Sequence, residues 1–212
     1  MVDLAGAGVV AILTRAPSAG GKSRLFRALG LPPDPALLAA LLLDTVAAVR
    51  ASGTTCIIAV EPPHSCAEVR ALVPGLEVVP QSSDALGGRM AAVMRMALDR
   101  GAAACAIVGS DLPDLVPGVL TDAFAALQAH PLSVVLGPAA DGGYYLIAAT
   151  GVPDLFDGIE WGTPRVLAQT LAAARQRGVE THLLAPMEDV DGVGELRRVV
   201  APRTRAWVEL NL

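Results

Sequence analysis

Fifteen of the sixteen basic residues in this 212-residue chain are arginine, and one, Lys22, is lysine. Lys22 lies in the stretch Thr14-Arg15-Ala16-Pro17-Ser18-Ala19-Gly20-Gly21-Lys22-Ser23-Arg24-Leu25. Gly20 and Gly21 let the backbone come close to a ligand. Exposed amides beside Arg15, Lys22, Ser23 and Arg24 suit phosphate oxygens. An ammonium is a compact charge that can follow a phosphoryl group in transfer, whereas a guanidinium is a planar fork. The stretch is not a Walker P-loop, which requires glycine where this chain has Ala16. Taken alone, it reads equally well as a phosphate cradle or as a solvated turn.

Four other stretches carry residues of chemical interest. Gly109-Ser110-Asp111-Leu112-Pro113-Asp114-Leu115 follows an apolar run directly. This puts Asp111 at the carboxyl end of a strand, where carboxylates suit Mg²⁺, an ion that takes one or two of them plus substrate phosphates. The competing reading is that Asp111 or Asp114 caps a helix near Pro117. Glu188-Asp189-Val190-Asp191-Gly192 sets two aspartates on one side of an extended chain, either as further metal carboxylates or as a turn. Gln81-Ser82-Ser83-Asp84-Ala85-Leu86-Gly87-Gly88-Arg89-Met90 leads into a helix with Arg89 in its first turn. A cation there opposes the helix dipole unless an anion lies close. Asp141-Gly142-Gly143-Tyr144-Tyr145-Leu146 reads as a hairpin turn, or as bare backbone on which a sugar or base packs.

Composition narrows the function. A formal net charge of -5 argues against a general nucleic-acid surface, which needs clustered cations to displace counterions. Cys56, Cys66 and Cys105 form no CxxC, and His64, His130 and His182 add no zinc spacing. Reduced, structural cysteines suit a cytoplasmic protein. The first residues carry Asp3 and no basic region, unlike a signal peptide. The most apolar run, 36–49, is interrupted by Asp44 and is too short to span a bilayer. The apolar composition leaves surface for a homodimer.

These loops must be held by a scaffold, and the pattern supplies one. Short β-branched runs at 9–13, 55–60, 77–79, 104–108 and 133–136 read as strands. Ala/Leu-rich runs at 35–51, 66–72, 86–100 and 116–129 read as helices between them. Strict alternation indicates βαβ units, a parallel sheet and helices on both faces. The rhythm breaks after 136, where glycines lead into another strand at 144–148 with no helix between, so a mixed, mostly parallel sheet is expected. A helix at 164–177 and a strand at 181–184 follow, and the tail from 193 is helical or irregular. No linker divides the chain, so residues 1–212 are expected to form a single α/β domain. In such sheets ligands bind beyond the carboxyl ends of the strands, where most of the loops above lie.

In order and coverage these motifs resemble the nucleotide-diphospho-sugar transferase superfamily, with its Rossmann-like three-layer α/β/α GT-A fold. The nearest likeness is to a bacterial glycosyltransferase-like family associated with radical-SAM proteins. Ala16-Pro17 with Lys22-Ser23-Arg24-Leu25 carries it, as do Gln81 with Leu86-Gly87-Gly88-Arg89-Met90 and Gly109 through Leu115. Gly137-Pro138 with Asp141 through Leu146, Trp161-Gly162-Thr163-Pro164 and Asp189-Val190-Asp191 complete the set. A tighter first loop ending Lys-Ser-Arg-Leu is more distantly similar to guanylyltransferases that activate phospholactate. The chain departs from the pattern at Arg15, which replaces a lysine, and at the ending after Asp191.

The resemblance implies that the first loop wraps a nucleotide's phosphates through Lys22 and Arg24, and Arg15, Gly20, Gly21 and Ser23 of the same loop are expected phosphate contacts with them. It implies further contacts from Gln81 and Arg89. It makes Asp111 a ligand of Mg²⁺ (or Mn²⁺), with Asp191 as the second carboxylate. Lys22, Asp111 and Asp141 are the expected catalytic residues, Asp141 as general base. The reading placed first is a Mg²⁺-dependent glycosyltransferase that takes a nucleotide sugar and a small-molecule acceptor. The alternative is a nucleotidyltransferase that couples an NTP to a phosphorylated small molecule. From another class comes a non-catalytic nucleotide-binding protein.

Overall fold

The computed structural model describes residues 3–82 and 85–212. Ser83 and Asp84 of the second loop lie outside the described residues, as do Met1 and Val2. Seven strands form one sheet: β1 (Gly8–Arg15), β2 (Thr55–Glu61), β3 (Glu77–Pro80), β4 (Ala104–Gly109), β5 (Val134–Pro138), β6 (Tyr144–Ala149) and β7 (Thr181–Leu183). Their order is β3-β2-β1-β4-β6-β5-β7. The β6 strand runs antiparallel to both its neighbours, β4 and β5, and all other pairings are parallel. The mixed, mostly parallel sheet expected from the broken rhythm after 136 is what forms.

The centre of the sheet is apolar on both faces. Val9 and Ala11 of β1 pack into one core and Val10 and Ile12 into the other, all four at 0% exposure. Such an unbroken apolar run marks a strand covered by helices above and below. One face is covered by α2 (Pro35–Ala51), α3 (Cys66–Leu72) and α5 (Pro117–Ala129), which contribute Leu42, Val46, Val69 and Leu120. The other is covered by α4 (Leu86–Asp99) and α6 (Val166–Gln176), through Met90, Met94 and Ala174. Three layers result.

A third apolar cluster lies outside this sandwich. It joins α1 (Ser23–Leu29), α2, α7 (Val193–Arg198) and α8 (Pro202–Asn211) through Leu25, Phe26, Leu41, Leu196 and Trp207. The sequence pattern does not predict α1, and the tail, expected as helix or irregular, is largely helical. Two aspartates of the α2 region anchor that tail. Asp44, which breaks the apolar run of α2, is buried and accepts hydrogen bonds from the Thr204 amide at 2.8 Å and the Arg203 guanidinium at 3.1 Å. Asp34 caps α2 through the Ala36 amide at 2.8 Å and accepts from the Trp207 indole at 2.6 Å. Among the described residues, no helix is long and apolar enough to cross a membrane.

Candidate active site

The carboxyl ends of the adjacent parallel strands β1 and β4 deliver two of the loops to one place. After β4, Leu112 and Leu115 insert into the core at 1% and 3% exposure and pin the turn, and the Leu112 amide donates to the Thr45 hydroxyl at 3.3 Å. The Asp111 carboxylate folds back over Gly109, where any Cβ would lie 2.6 Å from Asp111 Oδ1. A side chain at the strand end would therefore push the Asp111 carboxylate out of this position. A third segment is hung on the same turn, because the Val190 amide donates to the Asp111 carbonyl at 3.0 Å. Val190 is buried in the third apolar cluster, so its neighbours Asp189 and Asp191 face the other way. Carboxylate oxygens of Asp111, Asp189 and Asp191 come within 4.8 Å of one another.

Lys22 closes the cluster. Its Nζ donates to Asp111 Oδ2 at 2.5 Å and to Asp191 Oδ1. Its backbone sits at φ 49° and ψ 36°, and among the described residues it alone is non-glycine at positive φ. That conformation costs on the order of 1–3 kcal/mol in a side-chain-bearing residue. Gly20 at φ 73° and Gly21 at φ 148° lead into it, and a Cβ at either would meet open space. Glycine is needed there for the path of the backbone, not for room.

Charge decides what the cluster can hold. Burial alone would lower the Lys22 pKa, but Asp111 and Asp191 outweigh it and raise the ammonium above the ordinary lysine value. Burial first, and then Asp111 and Asp191, push Asp189 up to about 6, and Lys22 offsets only part of this. One ammonium among three carboxylates leaves an excess of negative charge. Clustered hard oxygen donors with that excess fit a divalent cation such as Mg²⁺ or Mn²⁺.

A cleft of about 340 Å³ opens beside the carboxylates. Leu13, Met90, Ile107, Ile147, Tyr144 and Trp161 supply apolar wall, and Ser110, Asp111, Asp141 and Asp189 supply polar wall. Trp161 stands edge-on to Tyr144, with ring centroids 6.3 Å apart. It packs over Gly87, where a Cβ would come within 2.9 Å of both Trp161 and Phe156. Burial raises the Tyr144 phenol above its ordinary pKa, with Thr170 acting in the opposite sense. Neither aromatic was given a role from the sequence. The available signal is that two of the few aromatics in the chain fall inside the Gly-Gly-Tyr-Tyr and Trp-Gly-Thr-Pro stretches that carry the family resemblance.

Other expected site residues have different surroundings. The Gln81 amide nitrogen is spent on the Thr14 and Ala59 carbonyls, at 3.0 and 2.9 Å, so this side chain ties the ends of β1 and β2 together. Arg15 pairs with Glu61 at 3.0 Å, and Arg89 pairs with the same carboxylate. Glu61 is thus an anion that offsets the helix dipole's objection to Arg89. Ser23 and Arg24 are exposed on the first turn of α1. Asp141 accepts from the Gly143 amide at 2.8 Å, closing its own turn. The bare backbone of Gly142 meets Pro164, whose carbonyl would lie 2.2 Å from a Cβ, so a protein segment occupies that approach.

The helix-cap alternative for Asp111 and Asp114 is corrected by the structure. The residue capping α5 is Val116, with no side-chain bond. Asp114 instead receives the Val200 and Ala201 amides, the latter at 2.8 Å, at the start of α8. The cysteines are free and buried, and burial pushes the Cys56 and Cys105 thiols up to about 12, where they are unreactive.

Known proteins share this architecture. The family described as an uncharacterized protein conserved in bacteria, DUF2064, matches residues 43–163, more than half of the chain. The phosphoenolpyruvate guanylyltransferase of Geodermatophilus obscurus is 35% identical over 207 residues, covering 95% of this chain and 91% of its own. A solved structure from Desulfovibrio desulfuricans, assigned to the nucleotide-diphospho-sugar transferases, superposes with a TM-score of 0.81 at 27% identity. It covers 97% of this chain and 95% of its own. A nucleotidyl transferase from Methanothermobacter shares the fold, with a TM-score of 0.63 at 22% identity over 94% of this chain and 97% of its own. With a nucleotide-diphospho-sugar transferase fold and transferases as its relatives, the chain is a nucleotidyltransferase-like transferase, and it belongs to the bacterial DUF2064 family.

Proposed function

We propose that the chain transfers a nucleotidyl unit, guanylyl first, from an NTP to the phosphate of a small phosphorylated carboxylic acid, with release of pyrophosphate. The observation that carries this reading is the lone lysine seated between Asp111 and Asp191 while Asp189 keeps a carboxylate with too little positive charge around it. The guanylyl group and a phosphoenolpyruvate-like acceptor are suggested by the Geodermatophilus relative.

In this reaction an ionised phosphate oxygen of the acceptor attacks the α-phosphorus. The bond from that phosphorus to the bridging oxygen breaks, and pyrophosphate leaves with the electron pair. No general base is required, because the acceptor is already ionised. Positioning and charge neutralisation carry the rate. Asp111, Asp189 and Asp191 would hold a divalent ion, which when bound neutralises phosphate charge. Lys22 stays protonated across the working pH range and would add a second positive charge beside the phosphates. The loop backbone at Gly21 and Lys22, with Ser23 and Arg24 beside it, would line the approach for the phosphates, whereas the Gly20 amide is spent on the Pro17 carbonyl at 3.1 Å. The cleft between Trp161, Tyr144 and Met90 accepts the apolar part of a substrate.

Glycosyl transfer, placed first from the sequence, is the second reading. The Tyr144–Trp161 wall suits the face of a sugar, and the Desulfovibrio relative is named as a nucleotide-diphospho-sugar transferase. It needs a general base for an acceptor hydroxyl, and Asp141 lines the cleft with its carboxylate turned to its own backbone. That geometry favours nucleotidyl transfer.

The test is ³¹P NMR of the protein with Mg²⁺, each of the four NTPs and phosphoenolpyruvate, and in parallel with nucleotide sugars. The expected result is a new diphosphate diester signal with equimolar pyrophosphate, strongest with GTP. Nucleoside diphosphate released from a nucleotide sugar, with no pyrophosphate from any NTP, would overturn the reading.

A further inference from the structure

At the opposite, amino-terminal edge of the sheet, three side chains from separate parts of the chain converge. His130 ends α5, Glu180 precedes β7, and His182 lies within β7. His130 Nδ1 stands 3.5 Å from Glu180 Oε2, and His182 Nε2 stands 3.5 Å from Glu180 Oε1. The imidazole centroids are 4.6 Å apart, with the rings tilted by 45°. One ligand atom from each of the three residues falls within a 4.8 Å set.

These spacings are long for charge-assisted hydrogen bonds, which run at about 2.7–2.9 Å. Each runs to a different oxygen of Glu180, and both are close to the separation of two ligands on one ion, about 3.4 Å for metal–ligand bonds of ~2.0–2.1 Å, with the carboxylate between the two imidazoles. A second observation points to a ligand. His182 Nε2 is shut off from solvent and has no hydrogen-bond partner, although it faces the cluster. A buried ring nitrogen without a partner is costly unless something fills the gap.

We propose that His130, Glu180 and His182 form a second metal site, of the two-imidazole, one-carboxylate type, that binds Zn²⁺ with water as its fourth ligand. The donor chemistry separates it from the aspartate cluster. Imidazoles select Zn²⁺, Co²⁺ and Ni²⁺, whereas three carboxylates select Mg²⁺ and Mn²⁺. Its role follows from its place. The strand β7 has three residues and pairs with β5 at the edge of the sheet. An ion held by His182 and His130 ties that short edge strand to the end of α5. The site stands on its own geometry, whatever group is transferred at the other edge.

The test uses the full chain with Mg²⁺ in large excess to occupy the aspartates. Calorimetric titration with Zn²⁺ is expected to show one equivalent bound, and Co²⁺ is expected to give the intense visible bands of a four-coordinate ion. Glu180→Gln and His182→Ala, checked for folding by circular dichroism, are each expected to weaken Zn²⁺ binding at least tenfold. Zn²⁺ is expected to raise the thermal midpoint of the wild type and not that of His182→Ala. Either of two results would overturn the proposal: no Zn²⁺ uptake by the wild type, or unchanged uptake by the folded His130→Ala/His182→Ala double variant.

Discussion

A single lysine carries two burdens in this protein, a left-handed backbone and an ion pair with two carboxylates. Because guanidinium is a larger planar fork, Lys22→Arg is not a conservative change here. We expect it to lower transfer at least tenfold and Lys22→Ala at least a hundredfold in initial-rate assays, and Lys22→Ala should also lower the thermal midpoint of the metal-free protein, because it leaves three clustered carboxylates without a cation. Asp189 gives a pH signature. Its folded pKa, about 6, lies above the ordinary carboxylate value, so the fold binds that proton more tightly than the unfolded chain does. The site therefore favours folding while Asp189 is protonated, and it loses that contribution as pH rises from about 4 through 6. Asp189→Asn should raise the thermal midpoint of the metal-free protein at pH 8 and lose this advantage near pH 4. Mg²⁺ binding by the wild type should weaken as pH falls through about 6, because the ion needs the carboxylate ionised, and isothermal titration across pH 5–8 checks this. Lys22 and Asp111 were legible from sequence because one is a singular residue type and the other follows an apolar strand directly. His130 and His182 were not, because only the pairing of β5 with β7 brings such distant positions together. Gln81 looked like a ligand contact because nothing in its sequence context shows that two strand-end carbonyls claim its amide.

At the scale of elements, the third apolar cluster does the positioning. Leu25 and Phe26 follow Lys22 on α1, and Val190 separates Asp189 from Asp191, and all three share that cluster. Packing there sets the distance between the ammonium and its carboxylates. Leu25→Ala should cost about 2–5 kcal/mol of stability by chemical denaturation. It should also lower kcat/KM by more than a surface leucine change does, because it loosens the register of the two halves. The turn after β5 is a second test. Gly142 has φ 89° and Pro164 backbone against it, so Gly142→Ala should destabilise the protein and open the cleft wall that α6 supports through the bond from the Leu167 amide to the Gly142 carbonyl, 2.9 Å. The strand–helix alternation was readable because the central strands are apolar on both faces. The short helix α1 was not, since seven residues between a glycine-rich loop and Pro32-Pro33 carry too little periodicity to register. The role of Asp44 was hidden for a related reason: its partners, Arg203 and Thr204, belong to a distant helix.

For the molecule as a whole, the sheet order gathers the chemistry at one edge. The first strand lies between β2 and β4, so the loops that leave β1 and β4 diverge from a common crevice, the place where open α/β sheets bind ligands. The antiparallel β6 begins at that same edge and brings Tyr144 and the Asp141 turn to the far wall. The opposite edge carries the histidine pair. This division predicts that nucleotide with Mg²⁺ and Zn²⁺ raise thermal stability independently, each by mass action on its own site. The central claim is that the carboxylates facing Lys22 serve nucleotidyl transfer. It is tested most directly by the initial rate of pyrophosphate release from GTP and phosphoenolpyruvate in Mg²⁺, measured side by side for the wild type and Asp111→Asn. The account predicts release by the wild type and a loss of at least a hundredfold in a variant that still unfolds cooperatively. Equal rates in the two proteins, or a wild type that releases no pyrophosphate with any NTP, would contradict it.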